Sequence, residues 1–161
     1  MRPDSVQLPV GIVFRRLHTG AEQELARSAV AATGRPCGPP GTGGRWTWFG
    51  LWDLTATSGT GLLGAAAIRP IEARMAKLCA WAVLTTPPCS VVGDRLLREV
   101  ADTLRADGAE CVVARPAEGR REERELLQRA GFRPVGLPGP GLQVSDEDGV
   151  GGSAGWLALE L

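Results

Sequence analysis

Residues 75–114 read MAKLCAWAVLTTPPCSVVGDRLLREVADTLRADGAECVVA, and this stretch decides the fold of the 161-residue chain. Its first part, Met75 to Thr85, is apolar on both faces, which predicts a strand in the middle of a covered sheet. Residues 91–106 repeat apolar side chains at four-residue spacing and predict a helix that stops at Asp107-Gly108. That repeat consists of Val92, Leu96, Val100 and Leu104. Because Glu110 to Ala114 is another short buried strand, the whole unit predicts a right-handed parallel crossover.

The N-terminal side adds a strand and a capped helix. Val10 to Leu17 has the β-branched content of a strand. Thr19-Gly20-Ala21-Glu22 has the capping-box pattern, in which the Glu side chain reaches back to the Thr amide. The helix that follows is expected to stop at Gly34 and to bury the side that carries Leu25, Ala29 and Ala32.

Residues 46–54 alternate in polarity and size, which predicts a strand with two distinct faces. One face carries Trp46, Trp48 and Trp52, and the other carries Thr47, Phe49, Leu51 and Asp53. Gly61 to Ile68 is the expected partner strand.

Beyond the crossover, a helix is predicted over about Arg120 to Ala130, and its RREERE segment is expected to be solvated. Phe132 to Val135 predicts a strand, residues 136–155 a long mobile loop, and Trp156 to Leu161 a last strand. The order β-α-β-β-β-α-β-α-β-β predicts a single α/β domain over residues 1–161, with a mixed central sheet flanked by helices on both faces.

Composition excludes several classes of function. The formal net charge is zero and the pI is about 6.6, which argues against nucleic-acid and membrane partners. No apolar run reaches the roughly 20 residues of a membrane helix, so we expect a cytoplasmic protein. One histidine and four widely spaced cysteines offer no metal site.

The loop RPCGPPGTGG at residues 35–44 is similar to the phosphate loop of an ATPase. That loop needs a Lys for the phosphates and a Ser or Thr for magnesium, whereas this chain has Gly44 and Arg45 there. ATP binding is therefore excluded.

Three segments of the second half resemble the GNAT superfamily of acyl-CoA-dependent N-acyltransferases. They are LLGAAAIRPI from residue 62, the stretch from Lys77 to Ala114, and ERELLQRAGFRPVG from residue 123. The first half matches by element order, with the loop at 35–44 in place of the family's second helix. The resemblance implies a GNAT-like fold and acetyl-CoA, or another acyl-CoA, as the cofactor.

In this family the backbone after the central strand binds the pantetheine, and the following loop and helix N-terminus bind the diphosphate. The resemblance therefore implies a cofactor site formed by Val83, Leu84, Val91, Val92, Gly93, Asp94 and Arg95. The family's loop, Arg-Gly-x-Gly-x-Gly/Ala, corresponds to residues 88–93 (PCSVVG), in which only Gly93 is retained. Asp94 adds a negative charge in the first helical turn and is expected to repel a diphosphate.

Two positions that handle protons in the family also differ. The Tyr that often protonates the departing thiolate corresponds to Leu127, and the chain contains no tyrosine. A Glu that is common early on the central strand corresponds to Lys77, the only lysine. Either the chemistry has changed or the cofactor is bound in a different way.

Cys89 and Lys77 are the candidate catalytic residues. A helix N-terminus stabilises a thiolate, so Cys89 could be a nucleophile, whereas Ser90 beside it could simply cap the helix. Desolvation could make Lys77 reactive, or its side chain could reach solvent from the end of the strand.

The candidate substrate-binding residues are Trp48, Cys79 and Trp81. Lys77, Cys79, Trp81 and Val83 are expected to share one face of the central strand and to line a ligand cleft. The tryptophans of residues 46–52 could form a platform for a flat apolar ligand, or they could pack in the core against the first helix.

The sequence leaves three functions open. The first is an acyl-CoA-dependent N-acyltransferase of a small-molecule amine, with a non-standard cofactor loop. The second is a GNAT-like protein of bacterial specialised metabolism that transfers no acyl group and binds, cyclises or rearranges a metabolite. The third is a non-catalytic interaction module. A homodimer is compatible with all three.

Overall fold

The structure, a computed structural model, describes residues 11–34, 46–57, 59–72, 74–85, 90–116, 119–135 and 155–161. The strands are β1 (Ile12–Arg16), β2 (Thr47–Asp53), β3 (Leu62–Glu72), β4 (Met75–Val83), β5 (Cys111–Ala114), β6 (Arg133–Pro134) and β7 (Leu157–Glu160). The helices are α1 (Gly20–Ala32), α2 (Ser90–Ala106) and α3 (Arg121–Arg129). The element order is as predicted. Pro88, Cys89, the predicted loop at 35–44 and nearly all of the loop at 136–155 lie outside the described residues.

Within the described residues, seven strands form one sheet in the order β1-β2-β3-β4-β5-β7-β6. β4 and β5 run parallel, while the other neighbouring strands run antiparallel. α2 connects the parallel pair, so the mixed sheet with one parallel crossover is confirmed.

Each face of the sheet carries its own hydrophobic core. On the α1 face, Ala26 and Val30 pack with Trp48 and Leu17. The α2 face contains a larger cluster, in which side chains of α2 and Leu127 of α3 pack on Phe49 and other strand residues. Helices on both faces are thus confirmed. Trp48 is only 1% exposed, so it has the packing role that the alternation also allowed.

The buried stripe of α1 differs from the predicted one. Ala26 and Val30 are buried, whereas Leu25 and Ala29 are half-buried and Ala32 is exposed. Alanines lie on every side of this helix, so its apolar periodicity does not define a single stripe.

Candidate functional site

β4 extends beyond the end of β5 at the carboxyl ends of these two parallel strands. Their ladder joins Met75–Leu78 to Cys111–Ala114 and then stops, while β4 continues to Val83. α2 begins at Ser90, on the connection from β4 to β5. The carboxyl ends of two parallel strands therefore border a gap beside a helix N-terminus, which is the usual place for a ligand in an open α/β sheet. We refer to it as the β4–β5 gap.

The backbone of β4 after the ladder presents the polar groups of Val83 to this gap. The Leu84 amide donates to the Leu63 carbonyl at 2.7 Å, so it is directed towards β3. Successive residues of a strand direct their amides to opposite sides, and the Val83 amide therefore points towards the gap. Of the two predicted pantetheine-binding residues, Val83 offers its amide and Leu84 does not.

Gly93 lies where α2 contacts both β4 and α3. A Cβ at this position would lie 3.2 Å from Cγ2 of Val83 and 3.3 Å from Cδ2 of Leu126. Even a Cβ would therefore be tightly packed here, and there is no room for a larger side chain unless Val83 and Leu126 shift. The first amides of α2, those of Ser90, Val91 and Val92, have no acceptor within the helix and can donate to an anion.

Asp94 is not in the first turn, which corrects one expectation, and its charge is paired. Since α2 begins at Ser90, Asp94 lies one full turn into the helix. Its Oδ2 accepts a hydrogen bond from Nη2 of Arg129 at 2.7 Å, across the α2–α3 contact. This ion pair reduces the repulsion that Asp94 would exert on a diphosphate. Arg95, which is exposed, forms its ion pair with Glu99.

The central strand, β4, contains a β-bulge. The prediction that Lys77, Cys79, Trp81 and Val83 share one face of this strand is therefore wrong. Ala67 of β3 pairs with Ala80, but Ile68 pairs with Leu78, which makes Cys79 the extra residue. A bulge reverses the alternation of side chains along the rest of the strand. The strand is apolar on both faces, so no sequence periodicity reports this reversal.

The bulge distributes the candidate residues over the two faces. Trp81 and Val83 pack in the α2-face core together with Leu78. Lys77 precedes Leu78 and therefore points to the α1 face. Trp81 is 4% exposed, and it and Trp48 are core residues on opposite faces. Cys79 is half-buried at the bulge itself.

Lys77 lies beside Trp156, a residue that sequence reasoning did not select. Nζ of Lys77 is 5.4 Å from the centre of the Trp156 ring, and Cζ of Arg115 is 6.0 Å from it. Lys77 is half-buried, and Trp156 is 5% exposed. No sequence signal places these residues together. They meet because β7, the last strand of the sequence, pairs with β5 and so lies close to β4 in the sheet.

Two residues of the charged segment before Leu127 have environments that the charge pattern of this segment did not indicate. Arg120 donates through Nη2 to the Thr33 carbonyl at 3.1 Å, which joins the start of α3 to the end of α1. Glu123 is 7% exposed, the only buried charged side chain among the described residues. This corrects the expectation of a uniformly solvated segment. The four-residue spacing between Glu123 and Leu127 was the available signal.

The remaining groups suggest little further chemistry. Burial, and secondarily the charge of Glu160, raises the pKa of the Cys111 thiol, which keeps it protonated. In the described ranges, no group of three or more His, Cys, Asp or Glu side chains could hold a metal ion. Nor does this part of the chain contain a helix long and apolar enough to cross a membrane.

No protein-family model and no curated protein matches the sequence. Solved structures match nearly all of it. A ribosomal-protein-S18-alanine N-acetyltransferase from Escherichia coli is 16% identical with a TM-score of 0.65, over 92% of this chain and 93% of that chain. A GCN5-related N-acetyltransferase from Kribbella flavida is 17% identical with a TM-score of 0.63, over 94% and 98%. A GNAT family acetyltransferase from Elizabethkingia anophelis, solved with acetyl-CoA bound, is 12% identical with a TM-score of 0.60, over 95% and 100%. With these structures, the β4–β5 gap and the parallel crossover, the chain has the GNAT fold.

Proposed function

We propose that this chain is an acyl-CoA-dependent N-acyltransferase that acts on a small-molecule amine. The observation that carries the proposal is the β4–β5 gap, which opens beside the N-terminus of α2. Backbone of β4 without a β5 partner fits an extended thioester arm, and a helix N-terminus fits the phosphates at its other end. The GNAT acetyltransferase that was solved with acetyl-CoA supports the same assignment.

In this proposal each part of the cofactor has a counterpart in the chain. The Val83 amide would bind the pantetheine arm, and the amides of Val91 and Val92 would bind the diphosphate. The ion pair with Arg129 offsets the negative charge of Asp94 beside that site. The arginine and two of the glycines of the family's loop are absent, so we expect α2 to provide most of the phosphate contacts.

The acyl-CoA would supply an activated carbonyl. The amine nitrogen forms a bond to the acyl carbon, the carbon–sulfur bond breaks, and CoA leaves as a thiolate. Leu127 is fully buried and has no exchangeable proton, so water is the proposed proton carrier for the amine and the thiolate. Cys89 and Lys77 stay candidates for catalysis, and unchanged turnover in a Cys89→Ala variant would remove the nucleophile.

Calorimetric titration with acetyl-CoA tests the proposal, with Ser90 as the site of the variants. Ser90 is exposed at the first position of α2, where a carboxylate favours the helix but repels a diphosphate. We expect micromolar binding to the unaltered chain and a loss of about tenfold or more in Ser90→Glu. Ser90→Gln adds similar bulk without charge and isolates the electrostatic part. Absence of binding at millimolar acetyl-CoA would overturn the proposal.

A second candidate is a GNAT-like protein that binds or converts a metabolite without acyl transfer. The specific observation in its favour is the core residue Leu127 at the position where the family often has its proton donor, in a chain without tyrosine. Acetyl-CoA binding combined with release of CoA thiol in the presence of amines would exclude this candidate.

A further inference from the structure

Two cationic side chains and one tryptophan form a small cluster on the α1 face of the sheet, where the β4–β5 ladder ends. They are Lys77, Arg115 and Trp156, and each is adjacent in sequence to a residue of the α2-face core. Those core neighbours are Leu78, Ala114 and Leu157. Side chains of successive strand residues point to opposite faces, so Lys77 in β4 points to the α1 face. Arg115 and Trp156 are the residues directly after β5 and directly before β7, and we place them on the same face by continuing the alternation of those strands by one residue. The distances to the Trp156 ring agree with this placement.

The cluster is adjacent to the β4–β5 gap. Lys77 pairs with Val113, one position before the last pair of the ladder, which is Leu78 with Ala114. Arg115 follows that last pair directly. One cation therefore lies on β4 and one directly after β5, at the end of the gap where the ladder stops. On the opposite face the same position is filled by the apolar core around Leu78 and Trp81.

Lys77 has no carboxylate partner among the residues that the structure describes. Its contact with the Trp156 ring attracts the positive charge but satisfies none of the three N–H donors of the ammonium. Arg115 approaches the same ring. An anion at this place would accept hydrogen bonds from Lys77.

We propose that the acceptor amine carries a carboxylate, which binds to Lys77 beside Trp156 on the α1 face of the gap. The inference rests on the proposed function and names the substrate class. A carboxylate held at the end of the gap where the ladder stops leaves the amine of the same molecule near the place proposed for the thioester. A polyamine, by contrast, would be repelled by the two cations.

Release of CoA thiol from acetyl-CoA, with paired acceptors, tests this. Each acceptor pair is an L-amino acid and its carboxamide, which differ in the negative charge and retain the α-amine. We expect kcat/KM at least about tenfold higher for the best amino acid than for its carboxamide, as for a charge-assisted hydrogen bond. Lys77→Met should reduce this ratio towards one, and Lys77→Arg should restore most of it. The control is Arg98→Met, which removes an exposed cation of α2 and should leave the ratio unchanged.

Calorimetry with the same amino acids separates this inference from the proposed function. Acyl transfer with equal kcat/KM for acid and carboxamide would overturn the inference and leave the N-acyltransferase in place. Lys77-dependent binding of the amino acids without any acyl transfer would overturn the N-acyltransferase and support the carboxylate site. Equal ratios in the unaltered chain and in Lys77→Met would also overturn the inference.

Discussion

Glu22 shows how one carboxylate can connect a strand to the start of a helix. Its Oε1 lies 2.6 Å from Nη2 of Arg15, and its Oε2 accepts from the amides of His18 and Thr19 at 3.3 and 3.5 Å. The hydrogen bond from Arg15, and then those from the two amides, lower the pKa of Glu22 from 4.5 to about 2. A lowered pKa in the folded state means that ionised Glu22 stabilises the fold above its unfolded pKa, and that this stability is lost as the pH falls towards about 2.

We therefore expect Glu22→Gln to lower the Tm near pH 7. The Tm of this variant should also depend less on pH between about 4.5 and 2, which thermal unfolding followed by circular dichroism will measure. Glu24→Gln is the control on the same helix, since Glu24 has a longer ion pair of 3.8 Å with Arg27. Identical pH profiles for the two variants would contradict this role for Glu22.

The ion pair between Asp94 and Arg129 gives a prediction for cofactor binding. Arg129→Gln leaves the Asp94 charge without its partner close to the N-terminus of α2. Acetyl-CoA should then bind roughly threefold to tenfold more weakly, because the pair is partly exposed and its effect is screened. In an Asp94→Asn background the same Arg129→Gln change should have almost no effect. Calorimetry of this double-mutant cycle is the measurement, and equal losses in both backgrounds would show that Arg129 does not act through Asp94.

The sequence shows that Asp94 places a negative charge near the start of α2, but it does not show that this charge is paired. Its partner Arg129 is 35 positions away, and their contact depends on how α3 packs against α2. Lys77 is a similar case, because its neighbour Trp156 follows a long stretch of chain. Charges at a site can be read from the sequence, whereas the partners that neutralise or orient them depend on tertiary structure.

Among the secondary-structure elements, the packing of α2 against β4 and α3 depends on Gly93. Gly93→Ala gains about 1 kcal/mol in helix propensity and places a methyl group against Val83 and Leu126, so the net change should be within about 1 kcal/mol. Gly93→Val should lose about 1–3 kcal/mol by overpacking the contact with β4. Urea unfolding measures both changes. The matched control is Gly20→Val, at a helical glycine with no atom within 4 Å of the added Cβ. Equal losses at the two glycines would contradict the packing role.

The junction between α1 and α3 gives a second prediction at this scale. The last turn of α1 has no basic residue of its own, and the Arg120 guanidinium supplies the charge at its Thr33 carbonyl. Arg120→Ala should lose about 1 kcal/mol and speed amide exchange several-fold in the last turn of α1. Hydrogen-exchange mass spectrometry measures this. Arg121→Ala removes an arginine that pairs within α3, with Glu125, and should leave α1 unchanged. An effect of equal size in both variants would contradict the link.

Elements with a local signature were predictable from sequence, and others were not. The capping box at Thr19 and Glu22 formed as its spacing predicts, and the alternation of residues 46–54 correctly sorted Trp48 and Phe49 onto opposite faces. The bulge at Cys79 had no such signature, because β4 is apolar on both faces and a reversal leaves its pattern unchanged. The gap itself follows from where the β4–β5 ladder ends, which pairing determines and composition does not.

Over the whole molecule, the buried apolar residues that the structure describes form two cores, one on each face of the sheet. The α1-face core and the α2-face core alternate along β2, β3 and β4, so each of these strands is stabilised from both sides. Loss of either core would remove the packing on one face of the same strands. The β4–β5 gap lies at the border of the two cores, so a ligand in it would contact elements from both faces.

This arrangement predicts one cooperative unfolding transition for the whole sheet. Leu17→Ala in the α1-face core and Leu96→Ala in the α2-face core each remove a side chain that is at most 2% exposed, and each should cost about 2–5 kcal/mol. Because the two leucines lie on opposite faces and share no cluster, their losses should add to within about 0.5 kcal/mol. Each variant should still unfold in one step, with coincident transitions by circular dichroism and tryptophan fluorescence, since both cores support the same strands. Separate transitions by the two probes would mean that one face can unfold while the other stays folded, and the sheet would then not couple the two cores.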